Sequence, residues 1–222
     1  MIKITKFNNG IIFFATICVI TISFLFGCLQ KSEINAPADA KKLNENKMFI
    51  KLVLETSSFL EFLSQTAKTN SLNMTDVSNK LNDVREKNLS YEDQMIEINR
   101  LFKSSVSFRL IKHMKTYKET WPLLLKTYKN ISSEVLISEA AEVIYESRYS
   151  SENNIRATAM VDCGWRYSLC IAAATMGAII CHAGCDTTAL ATTAGLGIPA
   201  CIAACGTLQV FAGVQCYDNY CK

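Results

Sequence analysis

Eight of the ten cysteines fall in the last sixty residues, and their spacing constrains what this chain can fold into more than any other feature. They are Cys163, Cys170, Cys181, Cys185, Cys201, Cys205, Cys216 and Cys221, and the series reads almost the same from either end. Positions 170 and 216, 181 and 205, and 185 and 201 each add to 386, while 163 and 221 add to 384. A constant sum is the mark of antiparallel pairing, because a step forward on one arm is matched by a step back on the other. The spacing also suits helices. At about 100° per residue, Cys181 lies roughly 20° round from Cys170, and Cys185 about 40° further. Cys201, Cys205 and Cys216 repeat these intervals in reverse. Each arm therefore presents three sulfurs in a stripe about 60° wide.

Eight cysteines allow 105 pairings. Among them the mirror spacing favours the nested set Cys163–Cys221, Cys170–Cys216, Cys181–Cys205 and Cys185–Cys201, which closes a helical hairpin. One arm is expected from about Trp165 to Ala191 and the other from Pro199 to about Cys216, with Ala194 to Ile198 as the turn. Glycines 195 and 197 suit the turn, and Pro199 suits a first helical turn. Glycine and threonine are frequent in the arms and are poor helix formers, so the bridges are expected to hold the arms in place. Ala172, Ala173, Ala174, Gly177, Ala178, Ala203 and Ala204 let two helices approach closely. Bulkier Leu169, Ile179, Ile180, Ile202, Leu208, Val210 and Phe211 must then largely face elsewhere.

Charge divides the chain in two. From Cys163 onward the charged residues are Arg166, Asp186, Asp218 and Lys222, and none lies between Thr187 and Tyr217. Nearly all the charge precedes the cysteine module. An uncharged hairpin with a bulky outer surface must be covered by the rest of the chain, inserted in a bilayer or docked to a partner. The net charge of +3 is too small to point to nucleic acid.

The amino terminus reads as an export signal. Lys3 and Lys6 precede an apolar run from Ile11 to Phe26, which at sixteen residues is short for a span of about 20. Leu25-Phe26-Gly27-Cys28 resembles the lipobox of bacterial lipoproteins, with Phe26 bulkier than the usual residue. That resemblance implies cleavage before Cys28, acylation of its thiol, and a protein of the cell envelope held by lipid. Cys18 leaves with the signal and Cys28 takes lipid, so eight of ten cysteines remain, an even number for an oxidising compartment.

Residues 1–27 are thus the signal, 28–47 a polar tether, 48–147 a helical region, 148–162 a linker and 163–222 the hairpin. In the helical region Phe49, Leu52, Val53, Phe59, Leu60, Phe62 and Leu63 recur at three and four, which predicts one helix to about Thr69. Thr75 or Asp76 is expected to cap a short helix through Val77, Leu81 and Val84. Ser90 and Asp93 resemble a capping box before Met95, Ile98, Leu101, Phe102 and Val106. Trp121-Pro122 should break the next helix or start another, and Ser132 or Ser133 should cap the last. The fold class is all-α, with a helical amino-terminal region followed by a disulfide-stapled antiparallel hairpin. Lys112, His113, Lys115 and Lys118 read as a solvated face, with His113 exposed. His182 reads as an interfacial or surface residue.

No enzyme, cofactor or metal site is expected. Cys181/Cys185 and Cys201/Cys205 have a spacing open to thiolate ligands, but exported thiols oxidise, and neither His182 nor an acid completes a ligand set. A cysteine nucleophile would leave an odd number for pairing, and no histidine–asparagine or histidine–aspartate partner is visible.

The overall layout, a long charged part ending in a compact Cys/Ala/Gly-rich module, is similar to the cysteine-rich bacteriocin precursors of the halocin and fulvocin kind. The resemblance covers about a quarter of the chain and rests on composition. It implies that Cys163 to Cys221 is an antimicrobial module acting on membranes, freed by a cut between Ser150 and Asp162. It implies also that the preceding helical region is associated with immunity, and that region would mask the hairpin. The lipobox departs from the halocin pattern. The alternative is a surface lipoprotein whose hairpin is a stable structural or interaction module.

Overall fold

The computed structural model describes residues 43–222 apart from 88, 129–130, 150–163, 193–197 and 221–222, with the side chains of 149 and 186–192 also set aside. The signal, Cys28, most of the tether, the linker from 150, the turn at 194–197 and the Cys163–Cys221 pair lie outside the described residues. The rest is all-helical. In chain order the helices are α1 (Lys47–Thr69), α2 (Met74–Glu86), α3 (Tyr91–Phe102), α4 (Ser107–Thr127), α5 (Ser133–Tyr149), α6 (Gly164–Thr192) and α7 (Ile198–Tyr220), with no strand among the described residues.

Side-chain caps explain where several helices start. Asn46 Oδ1 accepts from the amides of Met48 and Phe49 at 2.9 and 3.2 Å, satisfying two orphan donors of α1. Asn73, rather than Thr75 or Asp76, caps α2 and accepts from both of their amides. Asparagine reaches two amides from the residue before the helix, whereas Thr75 and Asp76 already have helical backbone. Ser90 Oγ accepts from the Asp93 amide at 3.1 Å, as the capping box requires.

Other boundaries also differ from the sequence reading: α3 ends at Phe102, with Lys103 in the left-handed region, so Val106 precedes α4 instead of continuing α3. α4 runs through Trp121-Pro122 without ending there. Proline removes one backbone donor, but it sits within two turns of the helix end on an exposed face, where α4's other contacts outweigh the loss. Leu43 belongs to the folded part rather than the tether, being 1% exposed and packed with Phe49, Leu52 and Ile144.

α1 runs through the middle of the bundle and contacts α4, α5, α6 and α7. Its amino-terminal half, with Phe49, Leu52 and Val53, meets Tyr117, Trp121 and Leu124 of α4, Ala140 and Ile144 of α5, and Ala172, Met176 and Ile179 of α6. Its carboxy-terminal half, with Phe59, Leu60 and Leu63, meets Leu81 of α2, Ile98 and Phe102 of α3, and Ala200 to Cys205 of α7. The charge-poor hairpin thus supplies side chains to both apolar cores. α7 also packs along α2, and α6 along α5.

Candidate functional site: the stapled hairpin and its buried histidine pair

α6 and α7 lie antiparallel, joined by Cys170–Cys216, Cys181–Cys205 and Cys185–Cys201 with Cα separations of 5.6, 5.8 and 5.8 Å. The three bridges occupy the facing stripes, so each sulfur sits where a 3.6-residue period places it. Cys185 Sγ and Cys205 Sγ, members of neighbouring bridges, are 3.7 Å apart. The sulfurs of Cys185, Cys201 and Cys205 lie within 4.8 Å of one another, but each is spent in a disulfide and so is not a thiolate ligand.

Gly164–Cys185 and Ile198–Tyr220 are each long and apolar enough to cross a membrane, at 22 and 23 residues. About half of each apolar window is buried inside the protein, 50% and 56%, so both helices also serve as core helices. The burial is uneven along α7. Residues 200–207 are buried on every side, whereas Leu208, Phe211, Val214 and Tyr217 are exposed on the later turns, where Val210 and Cys216 stay buried. On α6, Ile179 is buried and Ile180 exposed. The bulky side chains therefore divide between cover by the helical region and open solvent.

Two devices dock α7 on the charged region. Gln94 of α3 is buried and accepts from the Ala200 amide at 3.3 Å, satisfying an orphan donor in the first turn of α7. Gly206 lies against α1 so closely that a Cβ there would fall 2.8 Å from Leu63 Cδ1 and 3.2 Å from Phe59 Cε1. A side chain there would have to displace one of these two buried groups.

His113 is not on a solvated face. It is 0% exposed, and so is His182. His113 Nε2 of α4 and His182 Nδ1 of α6 lie 3.3 Å apart. The Phe59 ring stacks on His113 at 4.6 Å and 8°, and the Tyr117 ring meets His182 edge-on at 5.5 Å. Burial pushes His113 down to about 4 from its usual 6.5. Burial also holds His182 well below the ordinary range, with His113 adding to the effect and the Ile202 backbone opposing it. Both rings are therefore neutral at pH 7. The signal for this burial was in the sequence: His113 falls in phase with Leu110, Tyr117, Trp121 and Leu124, the buried stripe of α4. The lysines around it behave as expected of a solvated face, Lys112 pairing with Glu55 at 2.7 Å and Lys115 with Glu119 at 3.9 Å.

Several buried polar atoms on these helices make no hydrogen bond: Thr56 Oγ1, Trp121 Nε1, Ser168 Oγ, Thr175 Oγ1 and His113 Nδ1. No protein-family model, curated protein or solved structure matches this chain.

Proposed function

We propose that this is an exported, bacteriocin-like precursor in which the disulfide-stapled hairpin is the membrane-active part and the charged helical bundle is its cover. The observation that carries this reading is the contrast between the two parts. Both hairpin helices have the length and apolarity of membrane-crossing segments, yet about half of each apolar window is buried, partly against the other arm and partly against the charged bundle. Such a hairpin can be transferred from the bundle to a bilayer without burying many charges. Its bridges keep the two arms paired through the transfer, which spares the entropy of ordering them again.

In the same reading the lipobox-like Cys28 holds the precursor at the producer's envelope until a cut between Ser150 and Asp162 frees the module. A second reading, a surface lipoprotein with a permanent structural hairpin, is favoured by the fit at Gly206 and by the Gln94–Ala200 hydrogen bond. One experiment separates them. A specific protease site is placed between 150 and 162, and the cut, oxidised 163–222 fragment is separated in denaturant with its bridges intact. Returned to buffer at pH 7, it should release dye from phosphatidylethanolamine/phosphatidylglycerol vesicles and inhibit growth of related strains. A fragment with intact bridges that does neither would leave the structural-lipoprotein reading.

A further inference from the structure

We infer that His113 and His182 form an acid-sensitive latch, whose protonation pushes the hairpin off the helical bundle and presents its covered face to a lipid bilayer. This rests on the membrane-active reading of the hairpin and adds its regulation.

The geometry is that of a frustrated pair. One ring nitrogen of the 3.3 Å contact must donate and the other accept. If His113 Nε2 donates, its own Nδ1 is a bare acceptor in the core and His182 carries its proton on Nε2. If His182 Nδ1 donates, the roles reverse. In either tautomer His113 Nδ1 has no partner, and His182 Nε2 makes no hydrogen bond of ordinary geometry. A singly protonated pair keeps the contact as an imidazolium–imidazole hydrogen bond but leaves a charge buried, and a second proton removes the acceptor. A first added proton puts an imidazolium in a fully buried site with one N–H unanswered. A second sets two N–H groups and two positive charges face to face.

Among the described residues, none that packs on the pair supplies a free negative charge. α1 presents Phe59, with Glu55 one turn earlier already paired with Lys112 of α4. α4 presents the Tyr117 ring, which meets His182 edge-on. On α6, Cys181 and Cys185 flank His182 in sequence and are disulfide-bonded, so they do not titrate. α7 offers the Ile202 backbone, which favours the charged form but does not outweigh burial. The two histidines stand on opposite sides of the seam, one on the bundle and one on the hairpin, so their repulsion acts along the direction of separation. An anionic bilayer surface, where the local pH is about half a unit lower, favours opening at the membrane.

The test uses the full oxidised chain and the variant H113Q/H182Q, whose side chains stay uncharged. Hydrogen exchange is followed from pH 7 to pH 3.5 with lipid absent, and flotation with phosphatidylethanolamine/phosphatidylglycerol vesicles is measured in parallel. In the wild type, amides of α4, α6 and α7 should lose protection below about pH 5 with all bridges intact. Vesicle affinity should rise about tenfold or more over the same range. The double variant should show less than a twofold change. NMR of the wild-type imidazoles covers the case of a variant that does not fold: both should take up protons together with the loss of protection. Equal acid opening in the folded variant, or wild-type histidines that titrate without opening, would overturn the latch. A chain that opens in acid while the 163–222 fragment never leaks vesicles would instead remove the membrane reading.

Discussion

Replacing Gly206 by alanine pits two effects of known sign against each other. Alanine is the better helix former by about 1 kcal/mol. The added methyl, however, would lie 2.8 Å from Leu63 Cδ1 and 3.2 Å from Phe59 Cε1. Leu63 and Phe59 are themselves fully buried, so neither can swing into solvent to make room. Overpacking of this kind costs about 1–3 kcal/mol, which leaves a net loss of roughly 0–2 kcal/mol. Gly206→Val adds two more methyls and gives up the propensity gain, so it should lose about 3 kcal/mol or more. Gly184 on α6 is the control, because a Cβ there meets nothing within 4 Å. Gly184→Ala should therefore gain up to about 1 kcal/mol. Urea unfolding with the bridges oxidised measures all three. If Gly206→Ala stabilised the protein as much as Gly184→Ala, α7 would not approach α1 this closely, and the docking of the hairpin would need another explanation.

Acid should weaken the fold through His113. Its folded value near 4 lies below the unfolded 6.5, so its contribution is fully present above 6.5 and is lost as pH falls towards 4. The difference corresponds to roughly 3 kcal/mol, and His113→Phe, which keeps the stack on Phe59, should flatten that part of a urea midpoint–pH curve. Removing the innermost bridge with Cys185→Ala and Cys201→Ala, a separation of 16 residues, should lower stability by less than the isolated-loop value of about 3 kcal/mol. The outer bridges already limit the unfolded arms, and a calorimetric melt with those bridges verified reads the loss. Asn46→Ala removes the α1 cap and the 3.0 Å hydrogen bond to Tyr128 Oη, and should cost about 1–2 kcal/mol in urea unfolding.

The sequence by itself determined the local structure and the pairing of the arms. Cysteines at i, i+11 and i+15 on one arm and at i, i+4 and i+15 on the other each occupy one helix stripe whatever surrounds them, so a mirrored series defines an antiparallel register. The apolar periodicity of α1 and the cap at Ser90 were legible for the same reason, since both are properties of a few neighbouring residues. Tertiary structure alone decided what the hairpin packs against, because small residues permit close approach without naming the partner. It took α1 lying across Gly206 to show that the first half of the second arm is enclosed, and α4 and α6 meeting to bring together two histidines 69 residues apart. The continuity of α4 through Pro122 was likewise a matter of context, since one lost donor near a helix end is outweighed by packing on Tyr117, Trp121 and Leu124. Spacing along one chain encodes which face a residue occupies; which other face it meets depends on the summed burial of all seven described helices.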